Sequence, residues 1–382
     1  MKKLIILAVA LASVNASATR ARFNALASSP HLIDTRTIFG NPADMFYVGG
    51  DFVTFESGKT LSGFAPTQAA GLNGSPYIAS FTSTSDSGAE GMVVRSFGDA
   101  KVGLSLGHQS ETSILQRTAV APLFPTRVNF FQQNPVEISY GMKAGDLAWG
   151  ATLIYSSYKS KIAPNEKEDT SGLRGGIRMG ALDVKAAIGL SNNYQNDTDG
   201  RFKGTLALSA GAGYAMESLY FSGIIKTSGF NTQNGIGTET NNVNTTTIDA
   251  SVVSSHKKDG NEFFYSAGLS NATTKNTTAD SIVTALSLPI VLGLEVEAST
   301  WLTLRGSVKQ TVLINDSKTQ TAGVSSIDFS PAQNNTVASI GAGLKFSKIT
   351  VDGSLEGLTG GAATQQVNAN NLLGTVGLTY MF

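Results

Sequence analysis

The last twelve residues, Asn371 to Phe382, alternate in character: Val376, Leu378, Tyr380 and Phe382 are bulky and apolar or aromatic, while Thr375, Gly377 and Thr379 between them are small or polar. A period of two predicts a strand with one greasy face and one wet face. The pattern recurs. After Trp301, one phase holds Leu302, Leu304, Gly306, Val308 and Val312, with Gln310 its polar exception, and the other holds Thr303, Arg305, Ser307, Lys309 and Thr311. Leu173, Ile177 and Met179 oppose Arg174 and Arg178; Leu182, Val184, Ala186, Ile188 and Leu190 oppose Asp183, Lys185 and Ser191; Ile138, Tyr140 and Met142 oppose Glu137, Ser139 and Lys143. Ile290, Leu292, Leu294 and Val296 likewise oppose Glu295 and Glu297, and Ile349, Val351 and Leu355 oppose Asp352 and Glu356. Charges inside strands keep to one phase.

From Tyr77 onward this gives sixteen strands, near 77–84, 90–97, 101–108, 136–144, 147–159, 171–179, 182–191, 204–215, 219–229, 246–257, 262–272, 284–298, 301–314, 336–346, 349–358 and 371–382. Short turns (Gly98-Asp99-Ala100, Ala144-Gly145-Asp146, Gly180-Ala181, Met216-Glu217-Ser218, Lys258 to Asn261, Ser299-Thr300, Ser347-Lys348) alternate with long Asn, Thr, Gly and Ser-rich connections near 110–134, 160–170, 193–202, 231–245, 274–281, 315–335 and 359–370. One rim is tight and the other elaborated, the rhythm of barrels with short periplasmic turns and longer outer loops. The fold expected is all-β: a transmembrane antiparallel barrel of about sixteen strands, within a range of fourteen to eighteen. Met45 to Glu56 is also strand-like, interrupted by Gly49-Gly50; it pairs with Thr60 to Ala65, making eighteen, or lies against the lumen wall.

Composition narrows the class. Of the 382 residues only 15% are charged, against ~25% in soluble domains, and there are 41 Gly, 10 Pro and no Cys. A soluble chain this long usually splits into domains, whereas a barrel grows around a lumen. Without Cys, disulfides and thiolate metal sites drop out. His31, His108 and His256 sit in no Ser/His/Asp context, so no catalytic residue, metal or cofactor is expected. Gly211-Ala212-Gly213 and Gly341-Ala342-Gly343 lack the rest of a phosphate loop, and no basic cluster marks nucleic-acid binding.

At the N-terminus, Lys2 and Lys3 precede the apolar run Leu4 to Val14, and Ala16 and Ala18 offer the small residues of a leader-peptidase site. The run is too short for the ~20 residues of a spanning helix. Residues 1–18 therefore read as a signal peptide cleaved near Ala18, leaving a mature chain from Thr19 with 26 basic and 28 acidic residues. Residues 19–45 show no alternation and read as a periplasmic or plug segment before a barrel at 46–382.

Three resemblances add to this. A C-terminal Phe382 with Val376, Leu378 and Tyr380 before it resembles the closing strand of Gram-negative outer-membrane barrels. That implies an integral outer-membrane location among lipid and lipopolysaccharide, with the barrel-assembly machinery reading this strand. The whole pattern from about Tyr77, with Asn134-Pro135-Val136-Glu137-Ile138-Ser139-Tyr140-Gly141, resembles the porin class and in texture the porin-like major outer-membrane protein of Bdellovibrio-type predatory bacteria. A homotrimer is the assembly that class implies, but the Pro-Glu-Phe-Gly-Gly motif of enterobacterial general porins is missing, which leaves trimerisation and selectivity open. Asn41-Pro42-Ala43 resembles the N-terminal plug region of FadL-type channels for hydrophobic compounds, although a plain turn before the first strand is the simpler expectation.

The leading functional expectation is a water-filled channel for passive diffusion of small hydrophilic solutes and ions; the alternatives are a FadL-like channel for hydrophobic compounds or a structural barrel. A lipid-facing Arg or Lys costs roughly 2–4 kcal/mol at the bilayer midplane, so strand charges are expected to line the pore. These are Arg95, Lys101, Glu137, Lys143, Arg174, Arg178, Lys185, Asp249, Glu295, Glu297, Arg305, Lys309, Asp352 and Glu356, joined by Asp183 and Lys345. Trp149, Trp301, Tyr214, Tyr220, Phe221, Phe263, Phe264, Phe346 and Tyr380 lie near short turns or the C-terminus and predict an aromatic girdle. The 110–134 connection, with Glu111, Arg117, Pro122, Phe124, Pro125, Arg127, Phe130 and Phe131, is either a constriction, a latch to a neighbouring subunit or a self-capped surface loop.

Overall fold

The computed structural model describes residues 19–58, 66–67, 78–79, 88–110, 113, 116–117, 131–161, 165–321, 324–328, 335–360 and 372–382. The leader, residues 60–65 and most of the loop aromatics named above lie outside this set. No helix among the described residues is long and apolar enough to cross a membrane.

Eighteen hydrogen-bonded segments close into one antiparallel barrel with sixteen strand positions. The wall runs β1 (Phe52–Gly58), β2 (Gly88–Phe97), β3 (Ala100–Leu106), β4 (Val136–Ala144), β5 (Leu147–Lys159), β6 (Glu166–Met179) and β7 (Leu182–Asn196). It continues through β8 (Gly200–Gly204 and Ala207–Met216), β9 (Leu219–Asn234), β10 (Glu239–Lys258), β11 (Asn261–Asn276) and β12 (Ser281–Ser299). It ends with β13 (Leu302–Thr321), β14 (Val324–Asp328 and Asn335–Phe346), β15 (Ile349–Gly360) and β16 (Leu372–Met381). The two pieces of β8 share the same neighbours, and both pieces of β14 pair with β13.

Sixteen is the expected number, but one member differs. The first wall strand is Phe52–Gly58, which pairs from Phe52↔Met381 to Gly58↔Thr375 on one side and from Phe52↔Val94 to Gly58↔Gly88 on the other. Its sequence already alternates, with Val53 and Phe55 on one phase and Thr54 and Glu56 on the other. Of the expected 77–84 strand, the described residues Ile78–Ala79 pair only with Pro66–Thr67, apart from the wall. Residues 46–51 are not strand, because Pro42–Phe46 forms a 3-10 turn.

Several expected long loops are also strand. β10 has twenty residues, about twice the ~9–11 that a tilted strand needs to cross a bilayer. The polar stretches 231–234, 239–245 and 274–276 prolong β9, β10 and β11. Thr232 bonds Thr240 at 2.8 Å, Thr245 bonds Thr274 at 3.1 Å and Asn276 bonds Asn241 at 3.2 Å. Such cross-strand pairs, with β-branched Thr, hold a ladder without an apolar face. The tight rim matches the sequence: Gly98, Gly145 and Gly180 take φ of 63°, 59° and 59° in its turns, a backbone region glycine enters at no steric cost.

The two phases face as expected. Val376 (56% exposed) and Phe382 (51%) point out, whereas Thr375 and Thr379 are buried inside. Trp149, Trp301, Tyr214, Phe221, Phe263 and Phe346 are exposed on the outer face. Tyr220 and Phe264 are not part of that girdle. Each adjoins an outward aromatic, so a period of two must turn it inward: Tyr220 donates to Asp183 at 2.5 Å, and Phe264 is fully buried against His31.

Candidate functional site

Residues 19–51 lie inside the barrel. Helix α1 (Arg20–Ala25) packs on β13, β14, β15 and β16, and the turn Pro42–Phe46 packs on β4, β5 and β6, across the lumen. The Asn-Pro turn forms locally: Asn41 Oδ1 accepts from the Ala43 N–H at 3.0 Å, and Pro42 supplies a pre-set φ where no donor is needed. It lodges in a notch of the wall where Gly150 faces Gly176 across β5 and β6; a Cβ on Gly176 would collide with Asn41 Oδ1, and one on Gly150 with Pro42. The expected turn before the first strand is present, and it is wedged against the inner wall as part of an inner segment, or plug.

Charge fastens this plug on opposite sides of the lumen. Arg20 Nη2 lies 2.5 Å and Arg36 Nη1 2.7 Å from Glu90 Oε1, and the Arg20 N–H donates to Glu56 at 3.0 Å. Arg22 forks onto Glu295 with bonds of 2.8 and 3.0 Å, the bidentate geometry that makes Arg a strong carboxylate partner. Arg305 bridges Glu295 and Asp352 at 2.6 Å each, and Thr19 Oγ1 donates to Asp352 at 3.2 Å. Opposite, Asp44 pairs with Arg178, and Lys101 donates to the carbonyls of Met45 (2.8 Å) and Gly50 (2.9 Å). His31 meets Glu262 at 2.9 Å, and Ser307 donates to the Ala25 carbonyl at 2.8 Å.

Apolar contacts fill between these bonds. Ile38, Met45 and Val48 pack on Phe52, Met92 and Val94, and Leu26 and Leu32 pack on Val253, Phe264 and Val291. Within the plug, burial pushes the Asp34 carboxyl up to about 6, although Arg22 and the N–H groups of Arg36 and Thr37 pull it back. Burial likewise raises Asp44, against the pull of Arg178.

Of the expected pore-lining residues, all but Arg95 share the inward phase. Lys101, Arg178, Glu295, Arg305 and Asp352 are taken up by the plug contacts above. Glu137 is clamped by His108 (2.7 Å) and Arg174 (2.9 Å), and the ring of Phe39 stacks on His108 at 3.7 Å. Lys143 lies over the Tyr47 ring at 5.3 Å; Lys143, Lys185 and Glu297 belong to the tight-rim half. Asp249, held by Ser270 at 2.5 Å, Lys309, and Glu356, held by Ser339 at 3.4 Å, line the lumen beyond α1. Arg95 is a correction. It shares the outward phase of Val93 and Val102, pairs with Asp51 at 3.3 Å and stacks over the Phe382 ring at 4.9 Å. The run Met92-Val93-Val94 hides the phase in sequence, and the plug sets it by burying Met92 and Val94.

The loop after β3 also enters. Arg117 is fully buried, donating to Asn192 at 2.9 Å and to Glu168 and Thr170 at 3.1 Å each, and Gln116 donates to the Gly229 carbonyl at 3.0 Å. Phe131 packs against Tyr194, Phe202, Phe230 and Val243. The described residues of this loop are thus held against the inward face of β6, β7 and β9; Glu111, Pro122, Phe124, Pro125, Arg127 and Phe130 lie outside the described residues. Sequence reasoning missed Arg20, Arg22, Asp34, Arg36, Asp44, Glu56, Glu90 and Glu262. Its available signal was the concentration of arginines before the first strand, facing unpaired wall acids at Glu56 and Glu90.

No protein-family model and no curated protein sequence matches the chain, so the Bdellovibrio-type resemblance has no support at the sequence level. Among solved structures the chain is similar to a bacterial polysaccharide outer-membrane secretin (TM-score 0.46, 7% identity, covering 87% of this chain and 98% of the other). It is also similar to a Pseudomonas aeruginosa FadL homologue (0.42, 11%, 92% and 94%) and to a porin (0.39, 7%, 86% and 99%). These structural neighbours are all outer-membrane proteins or porins, at low identity.

Proposed function

We propose that the chain is an outer-membrane channel for small hydrophilic solutes whose lumen is stoppered by its own N-terminal segment. The observation that carries this reading is the ring of ion pairs between residues 20–44 and charges on opposite sides of the inner wall. An open diffusion pore needs no such partners, whereas a plug that must close the lumen does. Beyond α1 the inward phase carries Thr247, Asp249, Ser270 and Lys309 beside the apolar Ile224 and Val337, a mainly polar lining that suits water and hydrophilic solutes. In this reading the outer face sits in outer-membrane lipid and lipopolysaccharide, and the assembly machinery engages Val376, Leu378, Tyr380 and Phe382.

Passage of hydrophobic compounds is the second reading, favoured by the apolar clusters that line the plug. Planar-bilayer conductance and liposome swelling with sugars test both, on the wild type and on a chain lacking residues 20–47. The first reading expects small conductance from the wild type and a several-fold rise, with sugar-driven swelling, on deletion. Equal conductance of the two overturns the stopper. Fatty-acid binding without sugar swelling favours the second reading.

A further inference from the structure

Among the buried charges of the lumen, two chains of alternating sign hold the arginines of the N-terminal segment. One joins Glu56, Arg20, Glu90 and Arg36, two acids with two guanidiniums. The other runs Asp34, Arg22, Glu295, Arg305, Asp352, three acids with two guanidiniums, and none of its side chains is more than 10% exposed. A buried carboxylate without a counter-charge is costly. The second chain ends at Asp352, whose Oδ2 accepts from the Thr19 hydroxyl at 3.2 Å. Thr19 is itself fully buried, and the wall beside it is Gly377, where any Cβ would collide with the Thr19 side chain. The α-nitrogen of Thr19 is three bonds from that hydroxyl.

We propose that the α-ammonium of Thr19, freed by leader removal, is the missing cation of this chain and pairs with Asp352, so that leader cleavage creates the group that seats the plug. The inference rests on the sequence reading that cleavage falls after Ala18, and it is independent of what the channel carries. Water supplies the balance: its hydroxyl goes to the Ala18 carbonyl carbon as the C–N bond breaks, and the Thr19 nitrogen gains protons to become an ammonium. An uncleaved amide at this point is neutral and leaves the chain one positive charge short.

The test uses full-length protein extracted from membranes, shown to be folded by heat-modifiable gel migration, and acylated with an amine-reactive succinimidyl ester before mass spectrometry of the N-terminal peptide. The peptide is expected to start at Thr19, and its α-amine to react about tenfold or more slowly in the folded than in the urea-unfolded protein, as for a group exposed only by local opening. Asp352→Asn should remove most of that protection. A Gly-Ser insertion between Ala18 and Thr19, which leaves the wall untouched, should remove it even if the aspartate variant fails to fold. A different N-terminus, equal reactivity in folded and unfolded protein, or an inserted amine as protected as the native one overturns the proposal. Conductance of the same samples reports separately on the channel reading.

Discussion

At Asp34 a single buried carboxyl lets pH act on the plug. Its docked pKa, about 6, lies above the ~3.9 of a free aspartate, so the docked state binds the proton more tightly. Acid therefore favours docking: the gain builds as pH falls from about 6 and is complete below the ordinary aspartate range, whereas above 6 the ionised group opposes docking. The full swing is roughly 3 kcal/mol. Channel openings should be rarer at pH 5 than at pH 7, and Asp34→Asn should flatten this difference, which separates Asp34 from other lumen acids; an unchanged pH response in the variant would show that the control lies elsewhere. Nothing in sequence marks Asp34, because its environment is made by Arg22 and by a segment with no periodicity. The wall charges were legible because alternation assigns a face to each. Arg95, Tyr220 and Phe264 escaped that logic, since adjacent bulky residues leave the phase undetermined until something packs against it.

At the scale of elements, the loop between β3 and β4 is tied to the wall by Arg117. Removing one partner of a buried pair leaves the other charge uncompensated, at a cost of roughly 3–5 kcal/mol. Arg117→Ala should thus detach the loop from Glu168 and Thr170 and raise single-channel conductance, while Glu168→Gln, which keeps hydrogen-bonding capacity, should do so less. Conductance equal to wild type in Arg117→Ala would show that the loop does not narrow the pore. Strand existence was legible from alternation and turn residues for β2 to β16, and β4 and β5 have the bounds that the sequence predicts. Strand length was not. Once a strand leaves the bilayer no apolar phase is required, so Thr and Asn ladders such as Thr232 with Thr240 read as loop while pairing as sheet. The place of β1 was left open for a related reason: seven residues beside Gly49-Gly50 give a weak signal, and only closure between β2 and β16 identifies them as wall.

For the whole molecule, the outer face itself locates the bilayer. Phe263, Tyr265, Ala267 and Leu269 on β11 and Ile290, Leu292 and Leu294 on β12 are successive outward positions, paired strand to strand. Farther from the tight rim the outward residues change to Thr227, Thr246, Asn242 and Asn244 on β9 and β10. The belt ends where these begin. If lipid covers the belt alone, an arginine at Leu292, 52% exposed near the belt's centre, costs roughly 2–4 kcal/mol, and one beyond the belt at Thr246 costs about 0–1 kcal/mol. Urea titration of barrels folded into lipid vesicles, followed by heat-modifiable migration, should show Leu292→Arg strongly destabilised and Thr246→Arg close to wild type. In detergent micelles, whose thickness adapts to the protein, the gap between the two variants should narrow. Equal destabilisation of both in vesicles would move the membrane boundary outward onto the polar extension of β9 to β11, and with it the depth at which the plug and Arg117 lie.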